Sequence, residues 1–167
     1  ITFKALSLLR MLCEHKRFVK PLSDSKILVP VMHLLKYKDP RLGIPSMSCL
    51  PFLISSEIHL KEAVHRGAFD CISEALGVTE STRVALVALV KICGLASFYL
   101  YTSNFVKSNI LQLLKPLISA EDTNLQYLCL QIYRRVSFGI FDDKLAKSFS
   151  ESESISKLAG ALTNTPR

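Results

Sequence analysis

Residues 67–96 read GAFDCISEALGVTESTRVALVALVKICGLA, and the organisation of the whole chain follows from that stretch. Gly67 breaks the run before it. Phe69, Ile72 and Leu76 then recur at spacings of three and four, the period of a helix with one apolar face. The polar group Thr79-Glu80-Ser81-Thr82 predicts a turn, after which Val84, Ala88, Ile92 and Leu95 resume the same period. The expected unit is a medium helix followed by a longer one.

Working outward, the same arrangement returns in weaker form. Before Gly67, Glu57 to Arg66 predicts a short helix with Ile58, Ala63 and Val64 inward, ended by the left-handed backbone that glycine permits. Asp39-Pro40 reads as a helix cap followed by proline at the opening position, introducing a long helix that Pro45 and Pro51 should delay or kink. Lys26 to Lys38 predicts a medium helix with Ile27, Leu28, Val31, Leu34 and Leu35 inward and Pro30 in its first turn. A turn through Pro21 precedes it. Thr2 to Cys13 predicts a long helix with Phe3, Ala5, Leu8, Leu9 and Leu12 on one broad face. On the C-terminal side, Ser97 to Asn109 predicts a turn and a short helix, ILQLLKPLIS a medium one that Pro116 bends near its end, and LQYLCLQIYRRVSF a long one. Asp142 to Asn164 repeats the short and medium helices around a solvated loop, Ser150 to Ser154.

The ends of the medium helices align at Leu35, Leu76, Ile118 and Leu162, at spacings of 41, 42 and 44 residues. A period of about 40 to 47 residues built from short, medium and long helices is an armadillo signature, in which each unit buries its apolar face only against its neighbours. On GAFDCISEAL and VALVALVKICGLA, the chain resembles the armadillo repeat family over essentially its whole length. The resemblance implies an all-α, right-handed α-solenoid of about four repeats with incomplete terminal ones. The units are a partial repeat at 1–39 and repeats at 40–80, 81–122 and 123–167. The first residue is Ile, with no signal peptide pattern after it, and the expectation is a piece of a longer chain.

Composition bounds the function classes. Half the residues are hydrophobic and 21% charged, enough apolar material for a continuous core. The longest uncharged stretch, between Lys91 and Lys107, is interrupted by Gly94 and by Ser, Thr and Asn, so no membrane span is expected. Cys13, Cys49, Cys71, Cys93 and Cys129 are an odd set without a CxxC pair or zinc spacing, expected as free thiols packed as small hydrophobes in the reducing cytoplasm or nucleus. His15, His33, His59 and His65 form no metal motif, and neither a nucleophile elbow nor a phosphate loop is present. No catalytic residue, metal or cofactor is therefore assigned, and an enzyme is not expected.

The net charge of +7 is uneven: residues 1–66 carry eleven Lys/Arg against five Asp/Glu, the remainder ten against nine. The densest basic run holds His15, Lys16, Arg17 and Lys20, either a patch for an anionic partner or a solvated loop between helices. In the family the chain resembles, the long helices line a concave groove, and nuclear-import adaptors carry an Asn ladder there. Matching its ALxNLA pattern to LLRMLC, CLPFLI, KICGLA and IYRRVS puts Met11, Phe52, Gly94 and Arg135 at the Asn position, with Ser7, Ser48, Val90 and Gln131 one turn earlier. No Asn stands at those positions and the chain has no Trp, so a nuclear-localisation-signal groove is not implied. Met11 and Phe52 offer apolar contacts, Ser48 and Gln131 polar ones, and Arg134 and Arg135 a carboxylate or phosphate binder. Against this, Met11 and Phe52 also suit packing near the prolines. Phe98, Tyr99 and Tyr101 suit either the groove edge or loop packing.

The expected function is a protein–protein interaction scaffold for a peptide or domain, the regulatory or targeting module of a larger signalling or trafficking protein. The alternatives are a basic surface for nucleic acid or anionic membrane, and a structural or autoinhibitory spacer beside a kinase or other catalytic domain. Self-association through exposed terminal repeats is a further expectation. The SESES stretch suits acid-directed phosphorylation or, with Ser150 and Glu153, a capping box.

Overall fold

The computed structural model describes residues 2–37, 39–138 and 147. Among them are ten α-helices and no strand: α1 (Thr2–Glu14), α2 (Lys16–Asp24), α3 (Leu28–Leu35), α4 (Pro40–Leu53), α5 (Glu57–His65), α6 (Ala68–Leu76), α7 (Thr79–Cys93), α8 (Thr102–Lys107), α9 (Ile110–Ile118) and α10 (Thr123–Phe138), with a 3₁₀ turn at Ala96–Tyr101 before α8. Two shorter helices and a long third one, in the places expected for short, medium and long, occur three times, as α2–α3–α4, α5–α6–α7 and α8–α9–α10, although α2 and α3 have nine and eight residues and α5 and α6 nine each; α1 is a long helix ahead of them. Long helices pack in a row, α1 on α4, α4 on α7, α7 on α10, while α3, α6 and α9 each pack on the long helix that follows. The result is an all-α solenoid. The expected repeat anchors Leu35, Leu76 and Ile118 are the last residues of α3, α6 and α9, and all three are buried. Leu162, the helices expected over 142–164 and the SESES stretch lie outside the described residues.

A second marker keeps the same register. Lys26, Gly67 and Asn109 are the described residues with positive φ, at 59°, 81° and 62°, spaced by 41 and 42 residues. Each reverses the chain between a short and a medium helix. Gly67 adopts this conformation without a Cβ penalty, Asn109 tolerates it, and Lys26 carries the strain of an ordinary side chain there.

Several expectations are corrected. Pro21 lies inside α2, and the basic run through Lys20 is largely helical rather than a loop. α4 runs unbroken from Pro40 to Leu53 through Pro45 and Pro51, opened by the Asp39 side chain accepting from the Arg41 N–H at 3.0 Å. Thr79 to Thr82 is the first turn of α7, where Ser81 and Thr82 are buried and donate their hydroxyls to the Ala75 and Leu76 carbonyls, at 2.7 and 3.2 Å. Those bonds satisfy orphan carbonyls at the end of α6 and close the medium-to-long turn. Ile58 is 77% exposed and Leu60 takes the inward place. At about 100° per residue Ile58 and Ala63 point about 140° apart and cannot share a face, whereas Leu60, Ala63 and Val64 do. In α1 it is Leu6 and Cys13 that are buried against α2 and α4, while Phe3, Ala5 and Leu8 are exposed.

The core runs the length of the array. Its densest aromatic point joins Phe69, Phe98 and Phe105, edge to face with centroids 5.6 to 6.3 Å apart, each contact contributing about 0.5–1.5 kcal/mol beyond area burial. Phe98 thus packs the loop, and Tyr99 stays exposed. No single helix among the described residues is long and apolar enough to cross a membrane; α7 and the segment 96–107 would suffice together but meet at 103°.

Candidate functional site

The row of long helices carries most of the charge excess. α1, α4, α7 and α10 hold Lys4, Arg10, Arg41, Arg83, Lys91, Arg134 and Arg135 against only Glu14 and Glu80. Arg10 pairs with Glu14 at 3.6 Å and Arg41 with Asp39 at 2.9 Å, both exposed and contributing little stability.

The predicted site residues do not come together in one place. Met11, 61% exposed, lines a hollow of about 620 Å³ between α1 and α4, together with Phe3, Ser7, Arg10, Ile44 and Pro45. Ser48 donates its hydroxyl to the Ile44 carbonyl at 3.0 Å inside its own helix. Phe52 is half-buried, with the Lys91 ammonium 3.8 Å from its ring centroid, a cation–π contact that links α4 to α7. Gln131, Arg134 and Arg135 come together in a hollow of about 530 Å³ on α10, with Tyr127, 62% exposed, and Phe138, 71% exposed. His15, Lys16 and Arg17 lie together with Phe18 at the start of α2, with Lys20 one turn along.

Arg135 has a second role that its sequence position does not announce. Its guanidinium donates to the Val90 carbonyl of α7. The ordinary intrahelical partner of that carbonyl, the Gly94 N–H, turns instead to the Lys91 and Ile92 carbonyls. Arg135 therefore caps the C-terminus of the neighbouring long helix, where the helix dipole favours a cation. Gly94 makes the approach fit: a Cβ there would overlap the guanidinium, with Cζ only 2.9 Å away. One of the five guanidinium N–H donors is thus used within the chain, and a carboxylate binding at Arg135 would share the group with the Val90 carbonyl.

All five cysteines are free thiols and buried. Burial pushes the Cys93 thiol well up and Cys129 up to about 12, so neither is a nucleophile at neutral pH. Cys49 is also raised, by a hydrogen bond to Cys13 across the α1–α4 interface and by burial. No cluster of three or more His, Cys, Asp or Glu suited to a metal ion occurs among the described residues.

Comparison with protein-family models finds no match, and neither does comparison with curated proteins. Solved structures do match. A designed armadillo repeat protein superposes with a TM-score of 0.80 at 15% identity, over 97% of this chain and 69% of that one. An armadillo-repeats-only protein from Plasmodium falciparum gives 0.78 at 15% identity, over 99% of this chain and 73% of that one. This chain has an armadillo-like repeat fold. An engineered protein solved by the Northeast Structural Genomics Consortium gives 0.82 at 18% identity, over 98% of this chain and 66% of that one. At such identities the likeness is one of fold. An armadillo-like array is a repeat scaffold suited in build to protein binding, because stacked units present one long continuous surface.

Proposed function

We propose that this armadillo-like chain is a protein-binding scaffold that takes an acidic, partly apolar segment of a partner along its row of long helices. The observation that carries the reading is the charge of that row, seven cations against two carboxylates, with exposed Met11, Val87, Tyr127 and Phe138 among them. Complementary charge supplies attraction over distance, and the apolar side chains supply contact area. From α1 to α10 the row spans three interhelix steps of about 9 Å, the reach of about eight extended residues. The protein works in this reading as the regulatory or targeting module of a larger signalling or trafficking protein in the cytoplasm or nucleus.

The test is titration of an acidic-hydrophobic peptide of about ten residues into the protein and into a Met11→Ala, Arg83→Glu, Arg134→Glu variant, at low and physiological salt. Phe52 and Arg135 are left intact because both also join repeats. Affinity lost in a variant that still melts cooperatively supports the reading; affinity unchanged by it overturns it. A second reading, an anionic membrane or nucleic-acid surface, draws on α2, where Lys16, Arg17 and Lys20 accompany a 45% exposed Phe18. It requires binding that collapses steeply with salt and ignores the three substitutions.

A further inference from the structure

A cleft of about 410 Å³ opens at the edge of the array where two successive medium-to-long turns meet, the α3–α4 turn and the α6–α7 turn. Gly43 and Met47 of α4 line one side, Cys71 and Ala75 of α6 the other, with the Asp39 and Glu74 carboxylates also at its wall. It adjoins the Met11 hollow, with which it shares Pro40 and Ile44 of α4, and the Glu74 carboxylate at its wall is opposite in charge to the long-helix row.

Gly43 is the feature that calls for an occupant. Glycine inside a helix costs about 1 kcal/mol relative to alanine. Its φ is not positive, so the backbone does not require it. Packing does not require it either: apart from its two chain neighbours and the backbone of its own helix, no atom of the described residues lies within 4 Å of where its Cβ would stand. Nothing in the described chain uses the space that the missing side chain leaves, and Gly43 itself lines the cleft. Apolar walls around a small polar rim are the ordinary make-up of a recognition pocket, and the volume falls in the usual range.

The rim selects the occupant's charge. Among the described residues no Lys or Arg lines the cleft. Both carboxylate oxygens of Asp39 are taken by Arg41, at 3.1 and 2.9 Å. Glu74 is exposed and takes part in none of the ion pairs found among the described residues. Lys36 stands near enough to act on the Cys71 thiol, against Glu74 and Asp70, which act with opposite sign. We propose that this cleft docks a partner peptide that seats an unbranched apolar side chain over Gly43 and places an adjacent lysine or arginine on Glu74.

The probe is a short capped peptide with methionine between two lysines, compared with a twin carrying glutamates, each titrated into the ¹⁵N-labelled protein. The lysine peptide is expected to shift the amide signals of Gly43 and Gly77, both at the cleft, and the glutamate twin to leave them in place. Gly43→Leu fills the open space and should weaken the lysine peptide about tenfold or more. Glu74→Gln should remove the preference over the twin. Equal shifts from both peptides, no shift at millimolar peptide, or affinity untouched in a folded Gly43→Leu protein would each overturn the proposal. Should Gly43→Leu fail to fold, Gly43→Val and the Glu74→Gln arm decide it.

Discussion

Substituting Gly94 by alanine tests the contact by which one repeat caps the next. The backbone at Gly94, φ −84° and ψ −6°, suits alanine, so the substitution by itself should stiffen the unfolded chain and stabilise by about 0.4–1 kcal/mol. In the native array the new Cβ overlaps the Arg135 guanidinium and must drive it off the Val90 carbonyl. A hydrogen bond from a charged donor contributes about 1.5–3 kcal/mol, and the bond here is only part-buried, which favours the lower end. The expected net effect is a loss of about 1 kcal/mol, or a fall in Tm of about 2–4 °C for a chain of this size. The decisive assay is a double-mutant cycle with Arg135→Met, read by urea unfolding followed by circular dichroism. With Arg135 gone the same Gly94→Ala change should become stabilising. A change of the same sign in both backgrounds would refute the account.

Gly67→Ala should destabilise by about 1–2 kcal/mol, since φ is +81° there, whereas Lys26→Gly should relieve part of a similar strain and raise Tm; parallel melts check both. Thr82→Val, nearly isosteric, removes the hydroxyl that reaches the Leu76 and Val78 carbonyls and should cost about 1 kcal/mol by urea unfolding, with helix content unchanged. Because the Cys129 thiol is raised in the folded chain to about 12, from an unfolded value of about 8.5, its contribution is fully present below the unfolded value. Stability should therefore fall as pH rises from there toward 12, and Cys129→Ala should flatten that fall by about one proton; an unchanged slope would contradict the burial argument.

What the sequence discloses here depends on whether the signal is local or between repeats. Leu35, Leu76 and Ile118 were legible as repeat anchors because each ends a run whose period is set by its own helix. Gly67 was legible because few residues suit a left-handed turn, and Lys26 was not, because lysine carries no such signal. Ser81 and Thr82 looked like a solvated turn because their types are polar; the carbonyls that take their hydroxyls are open only once α6 has ended. Phe3 and Leu8 read as core because they match the helical period, which identifies an apolar face but not what covers it. The open cleft beside Gly43 had no sequence signal, since a lone glycine between prolines reads as one more helix breaker.

The site residues show a further consequence of the repeat. Met11, Phe52, Gly94 and Arg135 stand at one matched sequence place on, or at the end of, successive long helices, the place that carries asparagine in the import adaptors of the resembled family. Phe52 here lies under Lys91, and Gly94 lies under Arg135. Three of the four equivalent places, all but Met11, are thus engaged in joining one long helix to the next. In the proposed reading, recognition along the row rests on charge and exposed apolar side chains, which tolerate changes of sequence and register in the ligand. A scrambled acidic-hydrophobic peptide should accordingly retain most of the affinity of its parent, and both should weaken together as salt rises. A strong preference for one order of residues would mean that the row reads sequence through contacts other than these.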